Sequence, residues 1–168
     1  MLISEDLNNA INAQIGREFG ASLQYVQIAS HFANEALPQM AEFFFRQAEE
    51  EREHAMKFVK YVLDAGGEVH IPPIEAPKSR FASAEEAFQL SLDWEMDVTR
   101  QINSLMDIAI QEKDYIARAF LDWFVTEQLE EVSTMDNLLR IVRRAGERNL
   151  IMMEAYFSHL RDEIDKGE

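Results

Sequence analysis

Cysteine is absent from this chain of 168 residues. That excludes disulfide frameworks, thiolate metal sites and cysteine nucleophiles, and it is consistent with a cytoplasmic setting. Glycine and proline are scarce, with 6 and 4 residues, and three of the prolines lie between Pro72 and Pro77. Turn residues so few and so bunched do not suit a β protein, and the remainder reads as long helices. No apolar run approaches the ~18 residues of a membrane span. The opening residues Met1-Leu2-Ile3-Ser4-Glu5-Asp6 do not form a basic region followed by an apolar one, so no secretory leader is expected. Bases are also in deficit, 16 against 31 acids, for a formal charge of -15. Such a field repels nucleic acid and anionic lipid and concentrates cations. Solubility alone would account for the charge equally well.

What is present is helical periodicity. Hydrophobic residues make up 47%, and the length suits a single domain over residues 1–168. A first helix runs from about Ser4, a plausible N-cap, to Asn34, with the seam Ile11, Ile15, Glu18, Ser22, Tyr25, Ala29, Phe32. Pro38 suits the first turn of a second helix, which Gly66-Gly67 ends. The stretch from Gly66 to about Ala82 is non-helical. About 17 extended residues reach ~56 Å, more than the ~42 Å of a 28-residue helix, so this stretch can cross a bundle lengthwise and leave helices 2 and 3 parallel. Ser83 with Glu86 forms a capping box for the third helix, whose seam is Phe88, Leu92, Glu95, Thr99, Ile102, Met106, Ala109. The fourth runs from Asp114 to about Ala145 with the seam Leu121, Phe124, Gln128, Glu131, Met135, Leu138, Val142. The pattern predicts an all-α four-helix bundle over 1–145 and a short C-terminal helix over 147–165, which caps one end or packs on a neighbouring subunit.

Each long helix interrupts its own apolar seam with polar side chains: Glu18, Glu51 with His54, Glu95, and Gln128 with Glu131. Glu51 and His54 are three apart and share a helix face. Helices joined by a tight turn are antiparallel. Glu18 and Glu51 are equidistant from the turn between Asn34 and Pro38, and Glu95 and Glu131 from the turn at Lys113-Asp114. Within each hairpin the interruptions therefore lie level. Carboxylates brought this close repel one another or hold protons, and divalent cations remove the conflict. Carboxylate oxygen with one imidazole and no thiolate suits iron or manganese, although zinc can bind too. Tyr25, two turns from Glu18, is either a core tyrosine bonded to a site carboxylate, the simpler reading, or a redox participant. Glu50, Glu127 and Glu130 lie one position off the seam and read either as a solvated acidic face or as a third cation position that shares Glu131.

Single glutamates on two helices plus Glu-x-x-His on the other two is the pattern of ferritin-like dimetal proteins. On the motif Glu51-Arg-Glu-His54 and the run from Trp123 through Glu127-Gln128-Leu-Glu130-Glu131, the chain resembles the bacterial non-haem ferritins. The resemblance spans the four long helices, the crossover and the short fifth helix. It implies that Glu18, Glu51 and His54 hold a first iron. Glu51 would bridge to a second, held by Glu95 and Glu131 with Gln128 close by. Glu50, Glu127, Glu130 and Glu131 match a third iron position, and Tyr25 a tyrosine beside the site. Ferritins oxidise Fe2+ with O2 or peroxide and keep the ferric mineral inside a shell of 24 subunits. A ferroxidase and iron-storage subunit of a cytoplasmic homo-oligomer is thus expected; a dimetal oxidase or peroxidase that stores nothing is the alternative.

The departures narrow this. A symmetric site would read Glu-x-x-His on the fourth helix, as in bacterioferritin; Gln128-x-x-Glu131 deprives the second metal of an imidazole, which suits iron in transit to storage. Arg52 stands where bacterioferritin has its haem-ligating methionine, so no haem is expected. Without cysteine there is no rubrerythrin-type iron module.

Overall fold

The computed structural model describes the backbone of residues 2–167 and the side chains of residues 2–160. Its helices are α1 (Glu5–Asn34), α2 (Pro38–Asp64), α3 (Ala84–Glu112), α4 (Tyr115–Ala145) and, after a 3-10 turn at Glu147–Asn149, α5 (Leu150–Gly167), with no strand among the described residues. No described helix is long and apolar enough to cross a membrane.

The ends follow from local chemistry. Ser4, Ser83 and Asp114 each accept a hydrogen bond from a first-turn backbone N–H, of Leu7 (3.1 Å), Glu86 (3.0 Å) and Ala117 (2.9 Å), satisfying donors that the helix itself leaves open. Glu86 reaches back as a capping box requires, but to the N–H of Ala82 (2.6 Å). α2 has no side-chain cap of its own, since Leu37 occupies that position. Glu154 of α5 supplies it, accepting from the N–H groups of Gln39 (2.7 Å) and Met40 (3.1 Å). This contact, with Met153 and Phe157 buried in the core cluster at the same end, seats α5 as a cap on that end of the bundle.

The crossover lies along α1. Asn8 and Asn12 donate to the carbonyl of Glu68, at 3.1 and 2.8 Å, and Asn12 accepts from the N–H of His70. Farther along, Gln24 exchanges two bonds with the backbone of Lys78, at 3.0 and 2.8 Å. Between these amide clamps the Pro72 ring sits directly on Gly16, where an added Cβ would overlap it. These side chains satisfy backbone groups of the loop that have no ladder to join. They also explain why Asn8, Asn12 and Gln24 are buried on α1 outside the expected seam. Gly16→Val should force the strap off α1 at an expected cost of ~1–3 kcal/mol. The checks are a lowered Tm and faster proteolytic cleavage within 67–83.

On α3 the expected positions Phe88, Glu95, Ile102 and Ala109 are buried, and the alternate positions of the stripe lie one residue earlier than expected. Ser91, Val98 and Leu105 are buried, whereas Leu92, Thr99 and Met106 are only partly so. Both sets repeat every seven residues and share Phe88, Glu95, Ile102 and Ala109, and both fall within one broad apolar stripe.

The core divides into two apolar clusters. One holds Tyr25, Phe32, Phe44, Phe88, Met135 and Phe157; the other holds Ile11, Phe58, Val62, Ile102, Leu121 and Phe124. On all four long helices the chain between the two clusters is the polar interruption. The turn symmetry does not fix how the hairpins meet, and only the need of buried acids for partners argues for a common level; here they share one level.

Candidate metal centre

Glu18, Glu51, His54, Glu95, Gln128 and Glu131 are all buried at this level. Their ligand atoms form overlapping groups, each within 4.8 Å: Glu18 with Glu51 and His54; Glu51 with Glu95 and Glu131; and His54 with Glu127 and Glu131. Glu51 is common to the first two, and it stands between the carboxylates of α1 and those of α3 and α4. Glu127 is half-buried, and Glu50 and Glu130 are exposed. Those last two stand at the rim, outside the three groups.

Neighbours orient each side chain. Gln14, one turn before Glu18, donates to Glu18 Oε1 at 2.7 Å, while Glu18 Oε2 is buried with no donor. Tyr25 Oη donates to Glu95 Oε1 in a short hydrogen bond. Gln128 Nε2 lies 3.2 Å from both Glu95 Oε2 and the Glu95 carbonyl, and 3.3 Å from Thr99 Oγ1. His54 Nδ1 is 3.5 Å from Glu51 Oε2, and Nε2 is 3.9 Å from Glu127 Oε1. The imidazole packs edge-on against Trp123 and Phe124, with centroids at 5.5 and 5.9 Å, and Lys57 covers the Trp123 ring at 4.2 Å. At the rim, Gln47 donates to Glu50 Oε2 at 2.5 Å.

The electrostatics are those of acids crowded out of water. Burial first, then the charges of Glu95 and Glu18, holds Glu51 well above the ordinary carboxyl value. Burial raises Glu18 despite the opposing effects of the Glu51 carboxyl beside it and of the bond from Gln14. It raises Glu95 to about 7 against the hydrogen bonds from Tyr25 and Gln128. Glu131 rises to about 9, from burial and then the charge of Glu95. Glu50 and Glu127 are raised more simply, by the partial withdrawal of their carboxyl groups from water at the rim and then by each one's neighbouring carboxylate, Glu127 and Glu130 respectively. Burial, with the charge of Lys57, lowers His54 to about 4, so its imidazole is neutral at pH 7 and free to donate a lone pair. An orphaned buried oxygen on Glu18, clustered acids and a neutral imidazole fit divalent cations, and Glu51 is the carboxylate that two of the groups share.

Sequence patterning points to Tyr25 and Gln128 but not to the other positioning side chains. Gln14 was detectable as an i,i+4 partner of Glu18. Thr99 was counted only as a seam position, and Gln47 and Lys57 carry no local signal that separates them from ordinary polar surface.

Comparison with known proteins is consistent with this geometry. The family model described as a ferritin-like domain matches residues 8–145. Ferritin BfrB of Mycolicibacterium smegmatis is 45% identical over 146 residues, 87% of this chain and 80% of that protein. The bacterial non-heme ferritin of Staphylococcus aureus is 37% identical over 146 residues, 87% and 88% of the two chains. An open-pore ferritin from Archaeoglobus fulgidus superposes with a TM-score of 0.90 at 34% identity, covering 94% of this chain and 97% of its own.

Proposed function

This chain belongs to the ferritin family, and on that footing we propose that it stores iron and that its buried carboxylate layer is a ferroxidase site. The observation that carries the reading is the overlap of two groups at Glu51, one with Glu18 and His54 and one with Glu95 and Glu131. It offers two adjacent cation positions with a shared carboxylate. Two ferrous ions held there each give up one electron, and the pair reduces O2 to peroxide with the uptake of two protons. The exposed acids Glu50 and Glu130, with half-buried Glu127, form a negative mouth that draws Fe2+ inward and, together with Glu131, supply the third iron position. Gln128 holds the Glu95 carboxylate, and Tyr25 holds its other oxygen; both are positioning residues.

Storage requires a container. The chain forms a cytoplasmic homo-oligomeric shell of about 24 copies, a closed point-group assembly, with no haem. A single experiment tests storage against a free dimetal oxidase. Metal-free protein given Fe2+ in air should elute near the mass of about 24 copies of the 19.4 kDa chain, with ferric absorbance in the protein peak. Oxidation by a small species, with the ferric product precipitating outside the protein peak, would support the oxidase instead.

A further inference from the structure

The two substrates of the proposed reaction differ in character. Fe2+ is a hydrated cation, and the acidic mouth between α2 and α4 suits it. Dioxygen is uncharged and apolar, gains nothing from that field, and partitions out of water into apolar surroundings.

A second approach to the centre exists on another side of α4. A groove of about 230 Å³ lies between α3 and α4, walled by Met96, Ile102, Val125, Leu129 and Val132. Its lining also includes the uncharged polar side chains Asn103, Thr99 and Gln128, and the last two sit beside Glu95. Gln128 Nε2 spans from Glu95 Oε2 (3.2 Å) to Thr99 Oγ1 (3.3 Å), and Thr99 Oγ1 is bonded in turn to the Glu95 carbonyl (2.8 Å). The floor of the apolar groove is therefore the hydrogen-bonded amide that touches a carboxylate of the metal centre. Met96, Val125 and Leu129 are substantially exposed on the single chain, so the groove opens onto that chain's surface. No charged side chain is among its lining residues.

We propose that this groove admits dioxygen to the metal centre, with Gln128 and Thr99 as the polar threshold at its inner end. The inference rests on the ferroxidase reading and deepens it: the cation and the oxidant reach one centre by separate approaches, acidic on one side of α4 and apolar on the other. A carboxylate at position 128 would put a charge at the inner end of an apolar passage. The neutral amide closes it without one.

The test uses the assembled protein and two filling variants from opposite walls, Val125→Trp and Met96→Trp, neither of them a member of the acid cluster or a hydrogen-bond partner of it. Stopped-flow rates of Fe2+ oxidation are measured across a range of O2 concentrations. In both variants the apparent KM for O2 should rise about tenfold, with the rate at saturating O2 and the binding of Co2+, a non-oxidised stand-in for Fe2+, unchanged. Crystals of wild-type protein under xenon, an apolar probe that needs no catalysis, should show xenon in the groove and none in Val125→Trp. An unchanged KM for O2 in both variants overturns the proposal, and so does a groove without xenon. A smaller particle in sedimentation with KM unchanged also overturns it, and marks the groove as a seam between subunits. If wild-type protein takes xenon but oxidises no Fe2+, the ferroxidase reading has failed and the groove has not.

Discussion

Glu18→Ala should lower the initial rate of O2-dependent Fe2+ oxidation by about 100-fold or more, and His54→Ala should do the same. Glu18 is the one acid that α1 places in the layer, held by Gln14 at 2.7 Å with its second oxygen buried and without a donor. Removing it leaves the first position with Glu51 and His54 alone. Removing His54 takes away the only nitrogen donor, and one that needs no deprotonation at pH 7 because its pKa lies near 4. Neither loss can be made good from the rim, because Glu50 and Glu130 lie outside the clustered groups. Glu130→Ala is the contrast: it should leave the first burst of oxidation within about twofold, because an exposed carboxylate adds little to binding in the layer. Stopped-flow absorbance of the ferric product at pH 7 measures all three. Initial rates of wild-type size in both Glu18→Ala and His54→Ala would remove the buried layer as the site of oxidation.

The bundle was legible because its evidence is local and repeated. Each long helix carries its own apolar period, and Ser4, Ser83, Asp114 and Gly66 mark ends with a mechanism at each. The site was legible for a related reason. A glutamate within an apolar stripe is costly wherever the helix packs, so Glu18, Glu51, Glu95 and Glu131 stand out before any partner is known. Symmetry about the two tight turns then levelled them in pairs. Levelling the pairs against each other could not be read that way, because the crossover gives no register. That register comes from Asn8 and Asn12 at one end, Gln24 at the other and the Pro72–Gly16 contact between. These are contacts between distant positions, and they leave no period in the sequence. The cap that α5 lends to α2 through Glu154 was hidden likewise, since an uncapped Leu37 does not say which distant acid will serve it. On α3, Leu92 is the more hydrophobic neighbour and so the expected core residue, but the phase of the helix buries Ser91 instead. The shorter side chain is the one that faces the neighbours.

Metal-free protein should lose stability as pH rises from about 6.5 to 9, the reverse of what paired carboxylates give. The ordinary carboxyl value is 4.5, whereas Glu95 titrates near 7 and Glu131 near 9 in the folded state. Between those limits the folded chain holds protons that the unfolded chain has lost, and stability must fall with pH wherever that is so. Glu51 and Glu18 act in the same direction. His54 opposes them only below its ordinary value of 6.5, where the unfolded chain takes up a proton that the buried imidazole refuses until about pH 4. Above 6.5 the acids act unopposed, and the expected loss is on the order of a few kcal/mol, or about 5–10 °C in Tm. A divalent cation replaces those protons and reverses the sign: Co2+ added at pH 8.5 should raise Tm, and by more than it does at pH 6. Glu131→Gln removes one ionisable member while keeping its shape. It should raise the metal-free Tm at pH 8.5, flatten the slope and diminish the gain from Co2+, so that a variant poorer at oxidation is the more stable fold. Calorimetry on the assembled protein at pH 6, 7.5 and 8.5 reads all of this. A metal-free Tm that holds level across that range, with no gain in Glu131→Gln, would mean that the layer is already neutralised from within, and the case for cations in it would lose its physical ground.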